Sequence, residues 1–134
     1  MFDTSPYKSL LQRYSRLESE NFAEAYYILK EATGLADYYG EELAKAKKLL
    51  IQAEFHFKQT KARKSSELAP LKVSEGERLA LASEEVKQAN DELADATYFE
   101  RTLENITATI DKIYFDSKNI WDKGNKEYRS KERV

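Results

Sequence analysis

The sequence predicts an all-α protein, an elongated helical hairpin or bundle with a long coiled-coil-like C-terminal helix that associates with copies of itself. Apolar residues recur at steps of three and four through most of the chain, the period of one helix face. Only four glycines and two prolines occur in 134 residues, so little interrupts those runs. Hydrophobic residues at 41% and charged ones at 34% describe a helical, surface-rich chain rather than a disordered one. The length suits a single domain covering 1–134.

A first short helix is expected over 5–18, with Ser5 as N-cap and Pro6 at the first helical position. Tyr7, Leu10, Leu11, Tyr14 and Leu17 share its apolar face. A second, long helix over 20–64 starts after Ser19 or Asn21, each a good cap. Its face runs through Phe22, Ala25, Leu29, Ala32, Tyr39, Ala46, Ala53 and Phe57. Gly34 and Gly40 each cost about 0.8 to 1 kcal/mol in a helix interior, so the segment reads as one kinked helix or as two joined near that point.

Ser65, Ser66, Pro70, Ser74 and Gly76 mark a loop over 65–76. Ser74 and Glu77 have the capping-box spacing, which opens a helix predicted over 77–123 and about 70 Å long. Its seam comprises Leu79, Ala82, Val86, Ala89, Leu93, Ala96, Phe99, Leu103, Ile106, Ile110, Ile113, Ser117 and Ile120. One three-residue stammer interrupts an otherwise regular coiled-coil register. The alanine-rich half allows close approach to the second helix, in antiparallel packing. The bulky half, with Leu103, Ile106, Ile110, Ile113, Tyr114, Ile120 and Trp121, is the expected oligomerisation surface. A basic tail over 124–134 follows Gly124.

A formal net charge of -2 hides a polarised chain. Residues 45–64 carry a net +6, residues 65–111 a net -7, and residues 112–134 a net +3. Such a pattern suits contact with an anionic polymer or with a complementary protein surface, although a run of charge is commonly just a solvated helix face. The densest part, Lys58, Lys61, Arg63 and Lys64, follows Phe55-His56-Phe57, and Lys45 and Lys48 extend the same surface toward the N-terminus. Single-stranded nucleic acid is held by cations tracking phosphates together with aromatic platforms for unstacked bases, and this segment offers both. Core packing is the competing role for Phe57, on the apolar face, and less so for Phe55.

Catalysis has little to work with. There is no cysteine, and the single histidine, His56, has no second imidazole to share a metal. No phosphate-binding loop, dinucleotide fingerprint or EF-hand occurs. The chain is expected to be a binding or assembly protein, not an enzyme, with no cofactor and no metal. It begins without a secretory signal and has no membrane-length apolar run, so a cytoplasmic location, the host's if phage-encoded, is expected. Asn105-Ile106-Thr107 is then a chance match to a glycosylation site. Membrane-surface binding is disfavoured because the basic stripe is expected to lack an adjoining row of exposed Leu and Trp.

The order of features resembles the UvsY family of phage recombination mediators: a short helix, a long helix ending in a basic Lys-Ala-Arg segment, a polar loop, then a long helix. Lys61-Ala62-Arg63 matches that segment, preceded by Leu49-Leu50-Ile51-Gln52-Ala53-Glu54. The resemblance runs over about 22 to 125, and the acidic stretch after the loop and the N-terminal segment depart from it. It implies a ring-like homo-oligomer assembled through the C-terminal region. It further implies sequence-independent binding of single-stranded DNA, and assistance to a strand-exchange recombinase loading onto DNA coated by single-strand-binding protein. Lys61 and Arg63 would carry the DNA contact. The alternative from the residues alone is a helical scaffold or inhibitor whose basic belt docks an acidic protein surface or the chain's own acidic segment.

Overall fold

The computed structural model describes residues 2–67, 73–81 and 83–132. Four helices account for nearly all of them: α1 (Ser5–Ser15), α2 (Phe22–Glu67), α3 (Val73–Leu81) and α4 (Glu84–Glu132). No strand occurs among the described residues. The chain divides into two compact units, residues 1–42 with 103–134 and residues 43–102, so α2 and α4 each contribute to both.

The helix starts follow local hydrogen bonding. At α1 the Asp3 carboxylate accepts the Ser5 amide at 2.9 Å, so Asp3 takes the capping work expected of Ser5, which already lies within the helix. Asn21 Oδ1 accepts the Glu24 amide at 3.1 Å and opens α2. From there α2 runs as one helix through Gly34 and Gly40, the single-helix alternative of the two expected. A methyl group on either glycine would meet open space, so their weak propensity is the only local penalty. Packing of the rest of the helix outweighs it.

Several expected boundaries move. Residues 65–67 continue α2 and 73–76 already belong to α3, so the turn is shorter than 65–76; Pro70 lies outside the described residues. The helix expected over 77–123 instead falls in two described helices, α3 ending at Leu81 and α4 starting at Glu84, with Ser83 outside both. Ser83 Oγ accepts the Val86 amide at 3.3 Å and two acids, Glu84 and Glu85, occupy the first turn of α4. At its other end α4 passes Gly124 and continues to Glu132. A Cβ at Gly124 would lie 2.7 Å from Phe22 Cδ1 and 2.9 Å from Phe22 Cβ. That glycine lets Phe22 of α2 pack on the α4 backbone, and it does not end the helix.

In the first unit, Leu10, Ala25, Ile28, Ala32, Tyr39, Leu103, Ile106, Ile110 and Ile113 form the buried core. α2 and α4 run antiparallel there: Phe22 meets Gly124, and one turn on the Tyr26 ring lies 4.7 Å from Trp121. α1 is tied across them. Tyr39 donates its hydroxyl to the Asp3 carbonyl at 2.6 Å and accepts the Tyr7 amide at 3.3 Å, while its burial pushes the phenol pKa up. Arg13 bridges Glu24 and Glu31 at 2.9 and 2.5 Å. Tyr14 donates to the Asp116 carboxylate of α4. Ser117 Oγ is the one buried side-chain polar atom without a partner among the described residues.

The second unit has a thinner core of Ala46, Thr60, Val86 and Ala89, with Ala53, Phe57, Leu93 and Ala96 half-buried. Thr60 buries its hydroxyl by donating to the His56 carbonyl at 2.8 Å. Leu79, expected in the seam, is 46% exposed.

Candidate nucleic-acid interface

The basic cluster lies at the C-terminal end of α2, within the second unit. Each residue advances about 100° around a helix, so a three-residue step falls about 60° short of a full turn. Lys58, Lys61 and Lys64 therefore do not form a straight stripe. They wind from the exposed side toward the packed one: Lys58 is exposed, Lys61 half-buried, and the Lys64 side chain is only 22% exposed.

Lys64 ends that drift against α4. Its ammonium lies 3.1 Å from Glu85 Oε1 and 3.2 Å from Glu67 Oε2, and Arg63 Nη2 donates to Glu85 Oε2. The hydrogen bond from Lys64 holds the Glu85 carboxyl below its ordinary pKa, with Arg63 adding to the effect. The same bond raises the Lys64 ammonium. One carboxylate at the start of α4 thus occupies two of the cations that the sequence assigned to DNA. The acidic stretch after the turn supplies this clasp. Ser83 as a cap was the signal that would have put Glu85 in the first turn of α4.

Lys48, Lys58 and Lys61 form no ion pair among the described residues. Lys45, also assigned to DNA, lies exposed on the same helix and makes an interaction within the chain. Around them the surface is not simply polar. Ile51 is 66%, Phe55 62% and Leu49 59% exposed, while Phe57 faces the packed side. The basic stretch thus does have an adjoining apolar row, contrary to the sequence expectation. Periodicity identified the buried positions and left those between them uncounted. His56 is exposed beside this row.

The residues expected to join copies of the chain lie elsewhere. Leu103, Ile106, Ile110 and Ile113 are 0 to 5% exposed and sit in the core of the first unit. Tyr114, Ile120 and Trp121 are half-buried, Trp121 against Tyr26. A bulky seam reads alike whether it meets its own chain or another, and here α1 and the start of α2 cover it. The exposed aromatic on that stretch is Phe115, at 59%.

No group of His, Cys, Asp and Glu that could hold a metal occurs among the described residues. A wide, open groove in the first unit is lined by Tyr14, Leu17, Ser19, Asp116, Asn119 and Ile120. Its Tyr14 phenol is raised by the bond to Asp116, which disfavours the phenolate a nucleophile would need. Among the described residues no helix is long and apolar enough to cross a membrane.

The fold and this surface define a class, an all-helical chain presenting cations and exposed apolar side chains on one helix. Comparison with protein-family models, curated proteins and solved structures yields no match to this chain.

Proposed function

We propose that the protein is a non-catalytic, sequence-independent single-stranded DNA-binding protein that acts as a recombination mediator, helping a strand-exchange recombinase load onto DNA coated by single-strand-binding protein. The observation that carries the binding step is the juxtaposition on α2 of Lys48, Lys58 and Lys61, unpaired among the described residues, with exposed Phe55. Cations alone would suit any polyanion. An aromatic ring left in water beside them suits a strand whose bases are unstacked. The mediator step rests on the resemblance to UvsY proteins in the order of helices and the Lys61-Ala62-Arg63 segment.

Few cations per subunit give weak, salt-sensitive binding, with log K falling by about 0.7 per phosphate neutralised. Several copies acting together raise the effective concentration of each later contact, which is why the proposal includes a ring-like homo-oligomer. Assembly then uses surface other than the buried Leu103–Ile113 stretch, and Phe115 is its exposed aromatic candidate. The test is the double variant Lys58→Gln/Lys61→Gln. Oligo-dT binding should weaken and its salt slope become shallower by about 1.4, at unchanged helicity. Equal affinity in variant and wild type would remove the site.

The exposed Leu49 and Ile51 favour a second reading, a scaffold that docks a protein on this face. It predicts no DNA binding near physiological salt.

A further inference from the structure

We infer that Phe55 is the residue that makes this face select unpaired bases over duplex, with Ile51 as its apolar neighbour and Lys48 and Lys58 as flanking phosphate contacts; the inference rests on the DNA-binding reading above. Counting about 100° per residue, Lys48 and Ile51 lie within about 40° of Phe55 around α2, and Lys58 within about 60°. Ala46, Ala53 and Thr60, which face the unit's core, lie on the opposite side of the helix. Phe55 is 62% exposed and has no ring contact among the described residues. Phe57, two residues on, is the half-buried aromatic of this segment and faces the packed side instead.

The division of labour follows from the chemistry of the two ligand forms. Lysines meet phosphates that single strands and duplexes both display. A phenyl ring needs the face of a base, which a duplex keeps within its stack. Ile51, one turn before Phe55, widens the apolar surface on which a splayed base can rest. Glu54 lies one turn before Lys58 and borders the strip on that side. Charge complementarity along both edges with an apolar centre fits a single strand better than it fits an acidic protein helix, which would leave Phe55 against carboxylates.

The experiment compares Phe55→Ala, Phe55→Trp and Lys58→Gln/Lys61→Gln with the wild type by fluorescence anisotropy, on labelled oligo-dT and on a duplex of equal length, across a salt series. Loss of one stacked base should weaken oligo-dT binding by Phe55→Ala about 5- to 150-fold, with duplex affinity and salt slope unchanged. Phe55→Trp should retain affinity, and its added fluorescence should be quenched by oligo-dT and not by duplex. The lysine double variant should lose affinity for both forms and flatten the slope. Wild-type affinity of Phe55→Ala for oligo-dT, alongside weakened binding by the lysine variant, would overturn the inference while leaving the DNA-binding reading intact. A wild type that ignores oligo-dT, including one retained on anionic vesicles instead, would overturn both. A Phe55→Ala that loses oligomer mass but no DNA affinity would make the ring an assembly contact and reject the stacking role.

Discussion

Replacing Glu85 with glutamine tests whether the internal clasp competes with nucleic acid. Glu85→Gln keeps the side chain's shape and removes the charge that binds Arg63 and Lys64. Arg63 has no other ion pair among the described residues, whereas Lys64 retains Glu67 at 3.2 Å. The change therefore releases between one and two cations. At about 0.1 M salt each cation that engages a phosphate of a single strand raises affinity about fivefold, so the gain should lie between about 5- and 25-fold. The salt slope should steepen by about 0.7 to 1.4, and the advantage over wild type should shrink about three- to sevenfold between 50 and 200 mM. Both partners are more than half exposed at the Arg63–Glu85 pair, so folding stability should change little. Anisotropy with oligo-dT measures the affinity and circular dichroism checks the fold. Unchanged affinity and slope would refute the reasoning, because Arg63 and Lys64 would then meet no phosphate even when free.

Glycine substitutions should separate the three helical positions: Gly34→Ala and Gly40→Ala, which meet open space, should each stabilise by up to about 1 kcal/mol, whereas Gly124→Ala should destabilise by about 1 to 3 kcal/mol as Phe22 is displaced, all read from thermal midpoints. Ile110→Ala, at a fully buried site, should cost about 2 to 5 kcal/mol and leave the mass of the folded protein unchanged; a fall in mass with the helices intact would return that residue to an interface. Acid should mimic Glu85→Gln. Because the folded pKa of Glu85 lies below its ordinary value of 4.5, the clasp's contribution to stability is complete above that range and is lost as pH falls through the lowered value. Oligo-dT affinity of the wild type should therefore rise more over the same interval than that of Glu85→Gln, which keeps Glu67 and the other carboxylates but lacks the clasp.

The helical class, the first helix, the Asn21 start and most of the α4 seam were legible because they depend on local capping and on a 3.6-residue period. Val86, Ala89, Leu103, Ile106, Ile110 and Ile113 all lie where the period placed them, buried. The split between α3 and α4 was not, because the apolar period runs through Ser83 without a break and hid a good cap. Gly124 misled for the opposite reason: a glycine that ends a helix and one that admits a neighbouring ring look the same until Phe22 is in place. The cation cluster was visible as composition. Which cations stay free was not, since Glu85 reaches Arg63 and Lys64 from another helix, 22 and 21 residues on in sequence.

The most direct test of the central claim is a titration of the wild-type chain into labelled oligo-dT at low and at physiological salt, with light scattering on the same samples. A multimer that binds tightly at low salt, and more weakly as salt rises, is the predicted result. A protein whose anisotropy signal is flat at both salt concentrations would contradict the account, whatever its mass.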